Sequence, residues 1–264
     1  MARKCVWLSW LPVDSASGSV RETIQALSRS GLEVDGLGWD RDLTRFGWLQ
    51  TVQALTNADK VDVWLIAGDR ADFDVESVRY GLSLASATLL AKRGAPLTIL
   101  IGTLDAAPDD ILLPSLLTAS KRLGPPSTRW GAKTVAAAMR SADAQVDLPF
   151  RLNTIAHPSL GCWFEIGPRE QQRWQGALFG VDVGEITHHG VGASGALPEQ
   201  CTLEYPLQGL RIDASGREFV CWAVKNTLEP GQSYYVRVVG SPSAVLVGEY
   251  LEQDQADVRI LDLV

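Results

Sequence analysis

The chain has 264 residues, and 46% of them are hydrophobic, which is enough to build packed cores and too many for a disordered chain. Its formal net charge of −7 argues against nonspecific nucleic-acid binding, which depends on neutralisation of phosphates by Lys and Arg. No apolar run approaches the ~20 residues needed to span a bilayer, so the sequence predicts neither a nucleic-acid partner nor a membrane span.

None of the four cysteines is paired at the spacing of a zinc site. Their pattern is typical of reduced thiols in a cytoplasmic protein, although Cys201 and Cys221 could face each other across strands. The chain also begins with a basic residue pair and a short apolar stretch that faintly resemble a signal peptide. Ser9 and Pro12 interrupt that stretch, so we expect a cytoplasmic protein.

In chain order, strands and helices alternate through the first half, which predicts a parallel sheet covered by helices on both faces. The strands are predicted at residues 4–10, 32–39, 61–67 and 97–102. The helices are predicted at residues 20–30, 49–57, from near 75 onward, 109–123 and 132–142.

The strongest of these signals is the strand at residues 61–67. This run is apolar, rich in β-branched and aromatic residues, and ends at Gly68, so it predicts a buried strand. An acidic turn follows, and then a helix. In α/β proteins, ligand crevices lie just outside the carboxyl ends of such strands.

The pattern changes near residue 147, where short β-type runs separated by turn residues begin. They predict strands at residues 161–166, 174–181, 201–205, 210–213, 218–224, 233–239, 245–251 and 258–263. Regular short strands with turn signals favour an antiparallel β-sandwich or barrel. We therefore predict two domains, residues 1–146 and 147–264.

Several short motifs of the first half resemble the TIR (Toll/interleukin-1 receptor-like) family. The matching residues are Leu8-Ser9-Trp10, Asp14, and residues 34–35, 62–67, 77–82, 97–101 and 113–114. The resemblance implies a flavodoxin-like fold and a role in bacterial signalling or defence. It also implies association with a protein partner or with further copies of the chain, because TIR domains act by associating with each other.

The resemblance raises the question of catalysis. In TIR enzymes that cleave NAD, a Glu on the helix after the central strand stabilises charge at the ribose as nicotinamide leaves. Here Gly81 stands at that position and has no side chain. Glu76 lies five residues earlier and is the candidate catalytic residue; the alternative is that it simply charges the helix N-terminus favourably.

The resemblance also implies nucleotide binding around the strand ends, with NAD as a candidate ligand or substrate and no other cofactor. The candidate nucleotide-binding residues are Ser9, Trp10, Asp14, Trp39, Asp69 and Tyr80. Trp10 and Trp39 fall at or beyond strand ends and could stack on a base or nicotinamide. Packing in a core or an interface is the commoner use of such tryptophans.

Two acidic or histidine-containing groups could bind metal. Asp69, Asp72 and Asp74 could hold Mg²⁺, but such a run is more often a solvated turn with a helix cap. His188 and His189 follow Glu185, but adjacent histidines in a strand point to opposite faces, so we expect an exposed polar loop and no metal.

Residues 190–195 form a literal G-x-G-x-x-G motif. A dinucleotide site requires this motif between a strand and a helix, whereas Pro198 follows here and the surroundings are β-like. We therefore predict a flexible loop at this position.

Three functional hypotheses remain. The first is a non-catalytic TIR-like interaction or nucleotide-sensing module in bacterial signalling or defence. The second is an NAD glycohydrolase or nucleoside N-glycosidase that uses Glu76. The third is a structural component of a larger assembly.

Overall fold

The computed structural model describes residues 3–12, 18–57, 61–93, 97–126, 129–139, 146–199, 203–251 and 258–264. The chain divides into two compact units, residues 1–146 and 147–264. Asp14 and Cys201 lie outside the described residues. Within the described part, no helix is both long and apolar enough to cross a bilayer.

The first unit is an α/β domain with one parallel sheet. Its strands are β1 (Cys5–Trp10), β2 (Glu33–Gly38), β3 (Val61–Gly68), β4 (Thr98–Thr103) and β5 (Lys121–Leu123). Its helices are α1 (Gly18–Arg29), α2 (Trp48–Asn57), α3 (Arg70–Phe73), α4 (Glu76–Lys92) and α5 (Arg129–Ala138). The strand order is β2-β1-β3-β4-β5, which is the order of flavodoxin-like folds.

The strand β3 lies at the centre of this sheet, paired in parallel with β1 on one side and β4 on the other. Seven of its eight residues are buried, which explains its continuous apolar sequence. Helices cover both faces. Leu27 of α1 and Trp130 of α5 share a core with Leu8 of β1, and α2 and α4 pack together. The predicted fold of the first unit is confirmed.

The helix predicted at residues 109–123 is wrong. This segment contains two short 3-10 turns, Pro108–Asp110 and Ser115–Leu117, followed by the edge strand β5. Pro114 lacks a backbone N–H and would break an α-helix in the interior of the predicted span. The apolar residues Leu116 and Leu117 are buried all the same.

The second unit is built from antiparallel strands in two sheets. The first sheet has the order β6-β7-β12-β9 and the second the order β10-β11-β8-β13-β14. The strands are β6 (Phe150–His157), β7 (Gly161–Pro168), β8 (Ala177–Val181), β9 (Glu185–Ala193), β10 (Leu207–Ala214), β11 (Arg217–Val224), β12 (Gln232–Val239), β13 (Ala244–Glu249) and β14 (Val258–Asp262).

The two sheets pack face to face as a sandwich. Phe164 of β7 and Phe179 of β8 are both fully buried, and their ring centroids lie 5.1 Å apart. The five-stranded sheet has a second apolar face, on which Leu178, Phe219 and Cys221 form a buried cluster. Burial raises the pKa of the Cys221 thiol to about 12. The predicted antiparallel β-domain is confirmed.

Two strands of this unit, β6 and β9, were not predicted, and the strand predicted at residues 201–205 is absent from its described part, residues 203–205. The G-x-G-x-x-G segment is not a loop throughout, because Gly190 to Ala193 form the end of β9. Both β6 and β9 are edge strands of their sheet. Their polar positions weaken the apolar pattern that strand prediction requires.

Candidate functional site

The candidate site lies at the carboxyl edge of the parallel sheet, where β1 and β3 end. The flavodoxin-like strand order places its topological switch point between these two strands, and ligands of such folds bind there. The backbone is tightly tied at this edge. The backbone N–H of Trp39 donates to the carbonyl of Trp10 at 2.7 Å, and the backbone N–H of Leu104 donates to the carbonyl of Gly68 at 3.0 Å.

A largely buried ion pair closes part of this edge. The Arg41 guanidinium pairs with the Asp72 carboxylate, and only 26% and 12% of the two side chains are exposed. Arg41 also donates to the carbonyl of Leu11 at 2.8 Å. Because Arg41 follows β2 and Asp72 belongs to α3, the pair joins two segments that are distant in sequence.

Asp72 has a second role in the turn between β3 and α3. Its Oδ2 accepts the backbone N–H of Asp69 at 2.8 Å, in the manner of the acidic third residue of a capping box. The neighbouring Asp105 accepts the backbone N–H of Arg70 at 2.8 Å. The acidic turn is therefore held by Asp72 and Asp105. It is not a solvated turn with a helix cap at its end, because Asp72 is buried and α4 begins after Val75 without a side-chain cap.

Asp69 itself is partly buried at the end of β3. Burial raises the pKa of its carboxyl above the ordinary value, and the negative charges of Asp105 and Asp72 raise it further. A carboxyl with a raised pKa at a strand end is a candidate for acid–base chemistry. Asp74 makes only an exposed ion pair with Arg70, with an N–O separation of 3.8 Å. Within the described residues, no three His, Cys, Asp or Glu side chains are arranged to hold a metal ion.

Four of the predicted nucleotide-binding residues are buried. The exposed fraction is 0% for Ser9, 2% for Trp10, 7% for Trp39 and 3% for Tyr80. The Ser9 hydroxyl accepts a hydrogen bond from the indole N–H of Trp64 at 2.9 Å, so it takes part in the core between β1 and β3. Nucleotide binding by these residues stays a prediction.

Gly81 and Trp39 are in direct contact. A Cβ added at Gly81 would lie 3.2 Å from Cζ2 and 3.6 Å from Nε1 of Trp39. The indole ring therefore lies against α4 where a side chain at this position would begin. The glycine is used for close packing, and a longer residue there would require Trp39 to move.

Glu76 lies apart from this contact, as the first residue of α4. Its side chain is exposed. A carboxylate in the first turn of a helix interacts favourably with the helix dipole, which is the structural role that the sequence left open. The structure thus brings Trp39 together with Gly81 but gives Glu76 no buried setting.

Arg41 and Asp105 belong to this edge and were not predicted. Asp105 follows β4 and so lies at a strand end, a position at which polar residues can be suspected from the sequence alone. Arg41 offers no comparable signal, because its partner Asp72 lies 31 positions away. Only the folded sheet brings the two side chains together.

The two adjacent histidines of the second unit lie on β9 and point to opposite faces. The His188 ring lies 6.3 Å from that of Trp163, whereas His189 Nδ1 lies 2.7 Å from the Tyr234 hydroxyl. Burial lowers the pKa of His189. The two imidazoles therefore do not converge on one metal ion.

The G-x-G-x-x-G segment binds a carboxylate of the same chain. The backbone N–H of Gly195 donates to Oε1 of the buried Glu165 at 2.8 Å, and the hydroxyl of Ser233 donates to the same oxygen at 2.8 Å. Asn153 donates to the other oxygen at 2.8 Å. The segment leads from a strand into a turn, which is not the strand-to-helix setting of a dinucleotide site.

The first unit is thus a flavodoxin-like α/β domain whose carboxyl edge is closed by an ion pair and by tryptophan packing. No protein-family model matches the sequence, and a search of curated proteins finds no match.

Proposed function

We propose that this protein is a TIR-like interaction module of bacterial signalling or defence that does not cleave NAD and that acts in the cytoplasm. The observation that supports the proposal best is the contact between Gly81 and Trp39. Gly81 occupies the position at which the resemblance to TIR enzymes would require a glutamate, and the Trp39 indole fills the adjacent space.

The physical argument concerns electrostatic preorganisation. Stabilising the oxocarbenium-like charge that develops on the ribose requires a carboxylate held in place beforehand, and such electrostatic terms are worth several kcal/mol. Gly81 supplies no carboxylate. Glu76 is exposed at the start of α4, where water screens its charge and its side chain is not held.

A nucleotide-sensing role is compatible with the same proposal. Trp39 and Tyr80 lie on elements that meet at the carboxyl edge of the sheet, where flavodoxin-like domains bind ligands. Both side chains are buried, so a nucleotide would enter only if the segment after β2 moved. In that case NAD would be bound and left intact.

The second candidate function is NAD cleavage, and one observation favours it. The raised pKa of Asp69 is typical of carboxyl groups at functional sites. An enzyme of this kind would use Glu76, or else Asp69 or Asp74, as its carboxylate. Its carboxylate would have to stabilise the charge on the ribose from the acidic turn or from the start of α4, because Gly81 has no side chain.

The deciding experiment follows free nicotinamide while the full chain is incubated with NAD, both in dilute solution and under crowding that favours assembly. We expect no sustained turnover. The variants to compare are Glu76→Gln and Asp69→Asn, with Glu22→Gln, an exposed carboxylate on α1, as the matched control. Turnover that one of the two test variants abolishes and the control retains would replace our proposal with the enzyme.

Association is tested separately by sedimentation of the full chain over a range of concentrations, with and without NAD. We expect the average mass to rise with concentration. A chain that stays monomeric throughout, and that neither binds nor cleaves NAD, would rule out both self-association and nucleotide sensing.

A further inference from the structure

The four-stranded sheet of the second unit places Trp163, Arg237 and His188 side by side. Arg237 on β12 pairs with Trp163 on β7 and with His188 on β9. Residues directly opposite each other on neighbouring strands point to the same face of a sheet. The three side chains therefore form one row, with the Trp163 and His188 rings 6.3 Å apart.

This row lies on the face that points away from the five-stranded sheet. Phe164, the residue after Trp163, packs against Phe179 inside the sandwich, and successive side chains of a strand point to opposite faces. Trp163 and Arg237 are half-buried and His188 is exposed. Two apolar side chains at the same end of the sheet, Leu160 and Val239, are each 49% exposed.

Arg237 has no acidic partner among the described residues. Its side chain makes no ion pair or hydrogen bond there, and its Nε is buried without an acceptor. The guanidinium lies over Gly161, where an added Cβ would come 3.0 Å from Nε and 3.3 Å from Nη2. Because Gly161 has no side chain, it leaves room for the Arg237 guanidinium, whose charge no described carboxylate neutralises.

Two carboxylates lie near Arg237 on this face of the sheet. Glu185, opposite Val239 on β9, is exposed and forms no ion pair with Arg237. Glu165 lies on the same face as Trp163, two residues further along β7, but its oxygens accept from Asn153, Ser233 and Gly195. The turn that contains Gly195 therefore closes one half of the face. The half around Trp163 and Arg237 stays open.

The Trp163 ring is held in a fixed orientation, because its indole N–H donates to the carbonyl of Leu160 at 2.8 Å. A preorganised aromatic side chain loses little entropy on binding a partner. Tryptophan and arginine are also the residues that most often dominate the energetics of protein interfaces, and they do so inside an apolar surround.

We propose that this surface, formed by Leu160, Trp163, His188, Arg237 and Val239, binds a protein segment that presents an Asp or Glu carboxylate next to an apolar side chain. The carboxylate pairs with Arg237, and the apolar side chain packs on Trp163, Leu160 and Val239. A nucleic acid fits less well, because the chain carries a net charge of −7 and this surface offers one arginine.

The probe is a displayed library of short random peptides, selected on the immobilised full chain. We expect the selected peptides to combine an acidic residue with Leu, Ile, Val or an aromatic residue. The most frequent peptide is then synthesised and its affinity measured by titration. Replacing its acidic residue by the corresponding amide should weaken binding about tenfold or more, as expected for loss of a partly buried charge pair.

The protein variants are Arg237→Gln, Trp163→Ala and Val239→Asp. The last changes an exposed position only, and it places a competing carboxylate beside Arg237. Each should reduce peptide affinity about tenfold or more. The control Arg211→Gln removes an exposed, ion-paired arginine of the other sheet and should leave affinity unchanged.

Three outcomes would overturn the proposal. The first is a selection without acidic residues, and the second is equal binding by the natural chain and by Val239→Asp. The third is self-association that Val239→Asp abolishes, which would identify a second copy of the chain as the occupant. None of these results depends on whether the first unit cleaves or binds NAD.

Discussion

Trp64 donates its indole N–H to the hydroxyl of Ser9 at 2.9 Å, and both residues are completely buried. The bond joins the two strands that flank the switch point of the sheet, so Ser9 is part of the core. We expect Ser9→Ala to lower the free energy of unfolding by about 1–3 kcal/mol, because it leaves a buried N–H without an acceptor. Urea unfolding measures the change.

The control for this substitution is Ser28→Ala on the exposed face of α1. It makes the same chemical change in a helix, where alanine is the better residue, so stability should stay level or rise slightly. Equal effects of the two substitutions would mean that the Ser9–Trp64 bond contributes nothing.

The ion pair between Arg41 and Asp72 couples the segment after β2 to α3. We expect a double-mutant cycle with Arg41→Met and Asp72→Asn to give a coupling energy of about 1–3 kcal/mol, because the two side chains are largely shielded from water. The loss of stability in the double variant should therefore be smaller than the sum of the losses in the two single variants. Thermal and urea unfolding provide the four stabilities.

The matched pair is Arg70 and Asp74, which have the same charges but are 56% and 50% exposed. Its cycle, with Arg70→Met and Asp74→Asn, should give no more than about 0.5 kcal/mol, the usual value for an exposed helical pair. If both cycles gave the same small coupling, the Arg41–Asp72 pair would not hold the edge of the sheet.

The sequence predicted the parallel sheet because its central strands are buried on both faces and therefore read as continuous apolar runs. It did not predict β5, which has three residues, or the edge strands β6 and β9, whose outer positions are polar. The acidic turn at Asp69 was visible as a candidate site. The ion pair between Asp72 and Arg41 could not be predicted from the sequence, because contacts between distant segments depend on how the strands are ordered.

The raised pKa of Asp69 predicts an effect of pH on stability. Because the folded state binds the proton more tightly than the unfolded chain, stability falls as pH rises above the ordinary value of 3.8 towards the folded pKa. At neutral pH the charged carboxylate therefore opposes folding. We expect Asp69→Asn to raise Tm at neutral pH, by no more than about 2 °C since water screens the site.

The gain from Asp69→Asn should disappear below pH 3.8, where Asp69 is protonated in both states. Asp109→Asn, which removes an exposed negative charge, controls for the change in net charge. A gain that persisted at acidic pH would have a cause other than titration of Asp69, such as better capping of α3 by asparagine.

The contact between Gly81 and Trp39 gives the last prediction. Gly81→Glu should lower the free energy of unfolding by about 1–3 kcal/mol, because the new Cβ already meets the indole at 3.2 Å and the carboxylate must find room beyond it. Combining it with Trp39→Ala should recover part of this loss, so the double variant should be more stable than the sum of the two single effects predicts. Ser77→Glu, which adds the same carboxylate to the first turn of α4, should cost little. If Gly81→Glu were as stable as Ser77→Glu, Trp39 would be free to move aside, and the packing argument for a non-catalytic edge would lose its support.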